Sequence, residues 1–312
     1  MGNISVSYIS LDELKRVLED EELSAGKADN ILRRFCVTAS RHFDALVTNK
    51  VYPPRRFYPV LETRYFDHPA QARGIETVAL RTGDPRELRL RDDLLELTAL
   101  TTDNGFTAVT SGYNLYTWPG RYRPTPYDTI GFDGTGPLSS FSYRTAPQRA
   151  NAVSGWWGYH EDWESAWEDS GDSVVDDPLS DSATIVTVND AEGQDAYGID
   201  NRFQNLQLLK IGDECIWVNK VNPTSNELTV IRGVCGTTAE EHAASTPIYI
   251  YRAMHEVKMA LEYLALHLYK RKDSVGTPDQ RPLAAAKGLL IFPASMPKEV
   301  SDIIDAFKKE SL

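Results

Sequence analysis

Apolar positions near both ends of the chain recur at intervals of three and four residues, which is the spacing of one face of a helix. Ser10 and Glu13 have the spacing of a capping box and precede the first such stripe, which predicts a helix over about 11–20. A longer stripe over 28–47 predicts a second helix, which the two prolines after Tyr52 terminate. The amino-terminal part of the chain is therefore predicted to be helical.

Helical spacing returns late in the chain, over 254–268, and again after Pro297. The first of these stripes spans only about two heptads, which is too short for a coiled coil, so we expect it to pack onto the two amino-terminal helices. The second stripe predicts a last amphipathic helix that includes Ile303 and Phe307. Helices from both ends of the sequence would thus form one frame.

The region between these helices contains short runs of strand-forming residues, separated by Gly, Pro, Asp and Asn. A first group predicts hairpins that decorate the helical frame, at 60–66, 77–80, 87–90, 95–101 and 113–118. Residues 134–147 are interpreted as a turn-rich connection and residues 171–178 as an acidic linker. A second group predicts a small β-barrel or sandwich, at 183–188, 206–211, 215–221, 228–232 and 248–251.

The predicted fold class is α+β: a small α-helical bundle with β-hairpin excursions and an inserted small all-β barrel or sandwich domain. Residues 1–170 would form the first part of the frame, with two helices, the hairpins and a tryptophan-rich segment. Residues 171–252 would form the inserted β domain. Residues 253–312 would complete the frame with the late helix and a carboxy-terminal arm.

Charge and composition narrow the classes of function. The net charge of −12 disfavours sequence-specific DNA binding, which needs a basic surface, but it suits a channel through which DNA slides without adhering. The three cysteines form no CxxC pair, and the amino terminus lacks the pattern of a secretory leader, so we expect the protein to mature in a reducing cytoplasm. The apolar runs are shorter than the ~20 residues that a membrane span needs.

Motifs of common enzyme chemistry are missing from the sequence. It contains no P-loop, no Gly-x-Gly-x-x-Gly after a strand and no Gly-x-Ser-x-Gly elbow. The six histidines are scattered, and none forms the pair that a helical metal site uses. We therefore predict that the protein is not an enzyme and has no catalytic residues, no metal site and no cofactor.

Residues 155–167, GWWGYHEDWESAW, hold four of the six tryptophans of the chain. Large aromatic side chains are enriched both in interfaces between proteins and in the cores of single chains, and the segment alone does not decide between the two. Its carboxylates Glu161, Asp162 and Glu164 also suggest a glycosidase acid/base pair, although such pairs normally come from separate elements of a cleft. The candidate interface residues are Trp156, Trp157, Tyr159, Trp163, Trp167, Arg55, Arg56, Phe292, Ile303 and Phe307.

The order of several motifs along the chain resembles that of the head–tail connector (adaptor) proteins of tailed bacteriophages. These motifs are YPPRRFY at 52–58, TRYFD at 63–67, RDDLLELT at 91–98, GWWGYH at 155–160 and LYKRKD at 268–273. Two further runs, 208–214 and 228–239, are similar to a small β module of phage structural proteins, in which Asn is common at the position of Cys235.

This resemblance implies a small helical bundle that assembles as a ring, commonly dodecameric, below the portal of the capsid. Such a ring extends the DNA channel and joins the capsid to the tail, so the implied partners are other copies of the chain, the portal protein, and a tail, stopper or tail-terminator protein. Double-stranded DNA would pass through without sequence-specific binding, and no membrane is involved. The implied location is the neck of the virion, after assembly in the host cytoplasm.

Two other functions stay open at this point. A tail-completion or stopper protein of the same neck is the nearer alternative. A phage-associated carbohydrate-binding or glycan-cleaving protein that uses the same tryptophans is the alternative from another class. The resemblance also suggests that the carboxy-terminal arm docks on the portal.

Overall fold

The computed structural model of the protein describes residues 6–18, 29–48, 55–69, 84–117, 124–195, 198, 201–270, 283–284, 290–291 and 298–308. Four helices occur in this part of the chain: α1 (Leu11–Leu18), α2 (Asp29–Val47), α3 (His255–Lys270) and α4 (Lys298–Phe307). The strands of a first sheet are β1 (Val60–Phe66), β2 (Glu87–Thr102), β3 (Thr107–Ala108), β4 (Tyr113–Tyr116), β5 (Tyr127–Phe132) and β6 (Asn151–Trp157). Those of a second sheet are β7 (Trp167–Ser173), β8 (Ile185–Thr187), β9 (Leu208–Ile211), β10 (Glu214–Asn222), β11 (Glu227–Ile231) and β12 (Pro247–Tyr251), and a short hairpin consists of β13 (Leu283–Ala284) and β14 (Leu290–Ile291).

The first sheet is antiparallel, with strand order β1-β6-β2-β5-β4 and with β3 paired to the end of β2. Strand β6 pairs with β1 on one side and with β2 on the other, so that Trp157 lies opposite both Val60 and Leu94. The sheet buries an apolar core that includes Leu94, Ile130, Val153 and Trp157. The strand that carries the first two tryptophans is therefore an interior strand of this sheet.

The second sheet is also antiparallel, with strand order β7-β12-β9-β10-β11-β8. Val174, directly after β7, forms a bridge with Val188, directly after β8, so the two edges of the sheet meet. Alternate residues enclose an aliphatic core of their own, which includes Ile211, Val218 and Leu228. The sheet thus curls around a core that is separate from that of the first sheet.

The four helices form one layer from both ends of the chain. α3 packs against α1, α2 and α4, and α2 packs against α1 and α4 as well. Their shared core includes Phe43 and Leu261 and also takes in Leu208, Trp217 and Tyr251 from the outward side of the second sheet. The helical layer therefore covers one side of the second sheet.

The sequence-based predictions of the helices are confirmed, with small shifts at their ends. At α1 the Ser10 hydroxyl accepts a hydrogen bond from the Glu13 amide at 2.9 Å, and the Ser10 amide donates to the Glu13 carboxylate at 2.7 Å. This reciprocal pair is the predicted capping box. α3 packs onto the amino-terminal helices, as its short apolar stripe predicted.

The predicted fold class, a small helical bundle with hairpin excursions and an inserted β module, is wrong. The described chain is mostly β, with two six-stranded antiparallel sheets and four helices. The runs predicted at 87–90 and 95–101 are one long strand, β2, and strands β5, β6 and β7 were not predicted at all. The run predicted at 77–80 lies outside the described residues.

The missed strands have unusual residues at their buried positions. The buried positions of β6 are Asn151, Val153, Gly155 and Trp157. Only two of these four residues are large and apolar, so the alternation of apolar and polar residues that marks a strand is incomplete. In β7 two of the inward positions are Ser170 and Asp172, and the carboxyl half of this strand was interpreted as an acidic linker. Pairing with neighbours, rather than local strand preference, creates these two strands.

No helix in the described ranges is long and apolar enough to cross a membrane.

Replacing Gly155 by alanine tests the interior position of β6. A Cβ at this residue would overlap the backbone carbonyl oxygen of Glu96 on β2, which cannot move without breaking the sheet. We expect Gly155→Ala to lower the free energy of unfolding by at least about 1–3 kcal/mol in urea denaturation, the usual cost of overpacking. The neighbouring Ser154→Ala removes only an exposed hydrogen bond to Thr63 and should stay within about 0.5 kcal/mol of the wild type. Equal stability of the two variants would contradict this placement of β6.

Candidate functional site

The tryptophan-rich segment divides between two environments. Trp156 and Trp157 are consecutive residues of β6 and point to opposite faces of the first sheet. Trp157 is buried, stacks on Phe66 with ring centres 5.9 Å apart, and donates its indole N–H to the Glu62 carbonyl at 3.0 Å. The Arg64 guanidinium lies 4.4 Å from its ring centre on the same side. Trp157 is therefore a core residue of the first sheet.

Tyr159 belongs to a buried aromatic cluster around Phe57. The Phe57 ring lies 5.2 Å from that of Phe43 on α2, 5.5 Å from that of Tyr159 and 5.5 Å from that of Phe307 at the end of α4. All three pairs have the edge-to-face geometry that the charge distribution of aromatic rings favours. Tyr251 on β12 also donates its hydroxyl hydrogen to the Phe57 carbonyl at 2.8 Å. Phe57 thus joins the helical layer to both sheets.

Arg55 is buried beside this cluster and joins three elements. Its guanidinium donates to the two carboxylate oxygens of Asp93 on β2, at 2.8 and 3.3 Å, and to the Phe307 carbonyl at 2.5 Å. It also lies 4.2 Å from the ring centre of Tyr159. A cation at the carboxyl end of a helix is favoured by the helix dipole, so Arg55 fixes the end of α4 to the first sheet. The adjacent Arg56 is exposed.

Asp44 on α2 contacts Tyr8, near the start of the described chain. The Tyr8 hydroxyl lies 2.8 Å from both Asp44 carboxylate oxygens and accepts a hydrogen bond from the Phe57 amide at 3.2 Å. Burial raises the pKa of the Asp44 carboxyl to about 7, although the Tyr8 hydrogen bond and the nearby Arg56 both favour the charged form. Asp44 therefore changes its protonation near neutral pH.

The remaining tryptophans of the segment form a half-buried row. Trp163 lies 6.1 Å from Trp156 and 6.2 Å from Trp167, measured between ring centres. The Trp163 indole N–H donates to the Glu96 carboxylate at 3.1 Å, and the Lys210 ammonium lies 5.1 Å from the Trp167 ring centre. We call Trp156, Trp163 and Trp167 the tryptophan row. It runs from the first sheet to the second and keeps part of each ring exposed.

The carboxylates of the segment take part in local hydrogen bonds. Glu161 accepts the Tyr159 hydroxyl hydrogen at 3.0 Å, and Asp162 accepts a hydrogen bond from Ser165 while its own amide donates to His160. Glu164 is exposed. These contacts fix the loop between β6 and β7, and they place the acids along one surface segment instead of on opposite walls of a cleft, which glycosidase chemistry requires.

A separate buried network lies in the second sheet. Glu214 is completely buried and accepts hydrogen bonds from Arg232, from His242, and from the amides of Gly233 and Glu240. Burial by itself would raise the pKa of Glu214, but these bonds outweigh it and hold the pKa below its ordinary value. Every one of these partners belongs to 232–242, so the network fixes this loop against β10.

In the described part of the chain, no three His, Cys, Asp or Glu side chains are grouped so that they could hold a metal ion.

The structure brings some of the predicted interface residues together and separates others. Tyr159, Arg55 and Phe307 meet at the buried Phe57 cluster, and Ile303 is half-buried against the same helical core. Phe292 lies outside the described residues. The residues that the sequence did not single out are Phe57, Asp93, Tyr251, Glu96 and Lys210. Phe57, Asp93 and Glu96 lie inside the motifs named above, and Lys210 lies in the run 208–214, but only the tertiary contacts reveal their roles.

No protein-family model matches this sequence, and no curated protein is significantly similar to it. The functional inference therefore depends on the residues and their geometry.

Replacing Arg55 by lysine tests the junction between α4 and the first sheet. Lysine keeps the charge but cannot make the paired hydrogen bonds to Asp93 or reach the Phe307 carbonyl at the same time. We expect Arg55→Lys to lower the free energy of unfolding by about 2–3 kcal/mol in urea denaturation. Arg56→Lys makes the same change at an exposed neighbour and should cost less than about 0.5 kcal/mol. If Arg55→Lys is as stable as the wild type, the junction contributes little to the free energy of unfolding.

The raised pKa of Asp44 predicts a pH dependence of stability. Between about pH 4 and pH 7 the folded state holds a proton that the unfolded state has released, because an unfolded Asp has a pKa of ~3.9. This group therefore stabilises the fold below pH 4, and its contribution is lost as the pH rises to about 7. Urea denaturation at several pH values measures the free energy of unfolding. Between pH 4 and pH 7 this free energy should fall less for Asp44→Asn than for the wild type. Parallel declines would contradict the assignment.

Proposed function

We propose that this protein is a structural protein of the phage virion, a head–tail adaptor that assembles as a ring below the portal. The observation that carries this proposal is the tryptophan row, three large rings that contact one another in tilted and edge-to-face geometry but remain partly exposed, with the Trp163 indole N–H bonded to Glu96. Partly exposed, rigid aromatic side chains are the usual anchors of contacts between proteins. A second protein would complete the burial of the row.

A ring subunit of this kind does not need to be a small helical bundle. The helices at the two ends of this chain pack into one layer, and the two sheets enlarge the subunit around it. The proposal keeps the order of the motifs that resemble the adaptors and gives up the helical-bundle fold that this resemblance implied. Two of these motifs meet in space, because Arg55 and Asp93 form a buried ion pair.

The charge of the chain supports the same function. A net charge of −12 repels DNA weakly and disfavours its retention. DNA would therefore pass through a ring of such subunits without being retained. The portal protein on one side and a tail or stopper protein on the other would be the partners of the ring.

The tryptophan row also favours a second candidate, the binding of carbohydrate. Partly exposed tryptophan faces stack well on sugar rings, and the Glu96 carboxylate and the Lys210 ammonium lie beside them as polar groups. Both candidate functions use the same half-buried aromatic surface. They differ in what binds there: a protein for the adaptor and a glycan for the carbohydrate-binding protein.

Cryo-electron microscopy of the purified neck of the virion, or of this chain expressed together with its portal, tests the proposal. We expect a ring of this subunit between the capsid vertex and the tail, around a channel wide enough for DNA. Absence of the chain from the neck, together with a positive glycan array, would replace the adaptor by the carbohydrate-binding candidate.

Tryptophan variants separate the surface function from folding. Trp156→Ala and Trp163→Ala remove partly exposed rings, so we expect folded subunits, verified by circular dichroism, that fail to join heads to tails in an assembly assay. Trp157→Ala is the control from the same strand, and it should lose about 3–5 kcal/mol of stability because its ring is buried. Normal joining by folded Trp156→Ala and Trp163→Ala subunits would refute a role of the row in assembly.

A further inference from the structure

The negative charge of the chain is concentrated in one segment. Residues 150–201 contain thirteen Asp and Glu residues and neither Lys nor Arg, whereas the whole chain has a net charge of −12. The rest of the protein is therefore nearly neutral, and the acidic surface belongs to the tryptophan-rich loop and to the first two strands of the second sheet.

Part of this segment, together with the end of β11, combines acidic residues with exposed aliphatic side chains. Val175, Ile185 and Ile231 are 45, 47 and 40% exposed. They are neighbours on the outer face of the second sheet: the Val175 amide donates to the Thr187 carbonyl, and Ile185 pairs with Thr229, two residues before Ile231. The adjoining loop adds Asp176, Asp177 and Asp181. We call these three aliphatic residues and three aspartates the acidic strip.

A surface of opposite character lies at one end of the first sheet. Phe106 is 63% exposed with the Arg144 guanidinium 4.4 Å from its ring centre, and Tyr65 is 53% exposed with the Arg149 guanidinium 4.3 Å from its ring centre. Arg144 and Arg149 are themselves exposed. We call these four residues the arginine rim. Arg, Tyr and Phe are all among the residue types that are enriched in protein interfaces.

The arginine rim is held in place by its own hydrogen bonds. Asn104, in a left-handed conformation with φ of 60°, accepts hydrogen bonds from the amides of Arg144 and Thr145 at 2.9 and 3.0 Å. The Arg149 amide donates to the Asp67 carboxylate at 2.9 Å. Because the backbone is fixed, a partner would not have to order these loops on binding, which preserves affinity.

The position of the rim follows from the strand register. Phe66 pairs with Asn151 at this end of the sheet, whereas Val60 pairs with Trp157 at the end that meets the helices and the Phe57 cluster. The rim is thus at the end of the first sheet that points away from the helical layer. Both surfaces are exposed in the part of the chain that the structure describes.

We propose that the arginine rim of one copy of this chain binds the acidic strip of the next copy. This inference rests on the proposed function as a ring subunit. Arg144 already contacts Asp103 at 3.1 Å, but its guanidinium carries five N–H donors and can also bind carboxylates of a partner. Asp177 and Asp181 would supply those carboxylates, while the exposed aliphatic residues cover the rings of Phe106 and Tyr65.

A contact between two different surfaces is heterologous, and repetition of such a contact generates a closed ring when the rotation between neighbours closes. The same contact with two identical surfaces would stop at a dimer. Binding of the rim of one copy to the strip of the next would therefore allow copies of one chain to form a ring.

Charge exchange on the full chain tests this contact. The rim variant carries Arg144→Glu and Arg149→Glu, and the strip variant carries Asp177→Lys and Asp181→Lys. In analytical ultracentrifugation we expect the wild type to form a ring and each variant alone to lose it. An equimolar mixture should regain rings, because the acidic rim of one variant meets the basic strip of the other, and a chain with all four substitutions should assemble by itself.

A matched control and two further readouts complete the experiment. Arg86→Glu with Arg89→Glu makes the same charge change at exposed positions before and within β2 and should leave the ring intact. Circular dichroism verifies the fold of each variant, and Arg144→Gln with Arg149→Gln replaces the rim variant if the latter does not fold. A gel-shift assay with duplex DNA measures whether the rim holds nucleic acid.

Several results would overturn the proposal. They are a wild type that stays monomeric at all concentrations, a rim variant that assembles normally, a mixture that regains no rings, and a rim that retains DNA in the wild type but not in the variant. Rings that depend on both surfaces, combined with absence of the chain from the virion neck, would refute the adaptor function and leave this contact standing. A ring in the virion neck whose neighbouring copies touch through other surfaces would refute this contact and leave the adaptor function standing.

Discussion

The fold depends on a buried arginine. Arg55 joins Asp93 of the first sheet, the ring of Tyr159 and the last carbonyl of α4, so elements from the beginning, middle and end of the chain meet at one guanidinium. A buried cation is costly unless its partners surround it, and here a carboxylate, a carbonyl and an aromatic face do so. The Phe57 cluster beside it adds the apolar contacts that hold the helical layer against both sheets.

This junction also explains why one part of the tryptophan-rich segment is buried and another part lies at the surface. Strand β6 leads into the junction, so Trp157 and Tyr159 become core residues. Trp156 on the opposite face, Trp163 in the following loop and Trp167 at the start of β7 reach the surface. One short segment thereby holds the fold together and presents a rigid aromatic surface. The hydrogen bonds of Glu161 and Asp162 keep the loop in this arrangement.

Charged residues are distributed unequally over the surface of the molecule. Acidic residues are concentrated after Arg149, and the arginine rim lies at the far end of the first sheet, so the two signs of charge are separated along one molecule. Separation of this kind favours contacts between unlike surfaces of neighbouring copies and disfavours contacts between like ones.

By itself the sequence determined the helices, because capping and a repeat of three and four residues are local: Ser10 with Glu13 and the stripe of α3 were sufficient. It also determined most strands of the second sheet, whose buried positions are aliphatic. Only the tertiary structure decided that the protein is mostly β, because Asn151, Gly155, Ser170 and Asp172 are buried by distant partners. Asn151 illustrates the reason: its side chain is buried because Thr102, 49 residues earlier, supplies a hydrogen bond at 2.8 Å, and no local pattern encodes that contact.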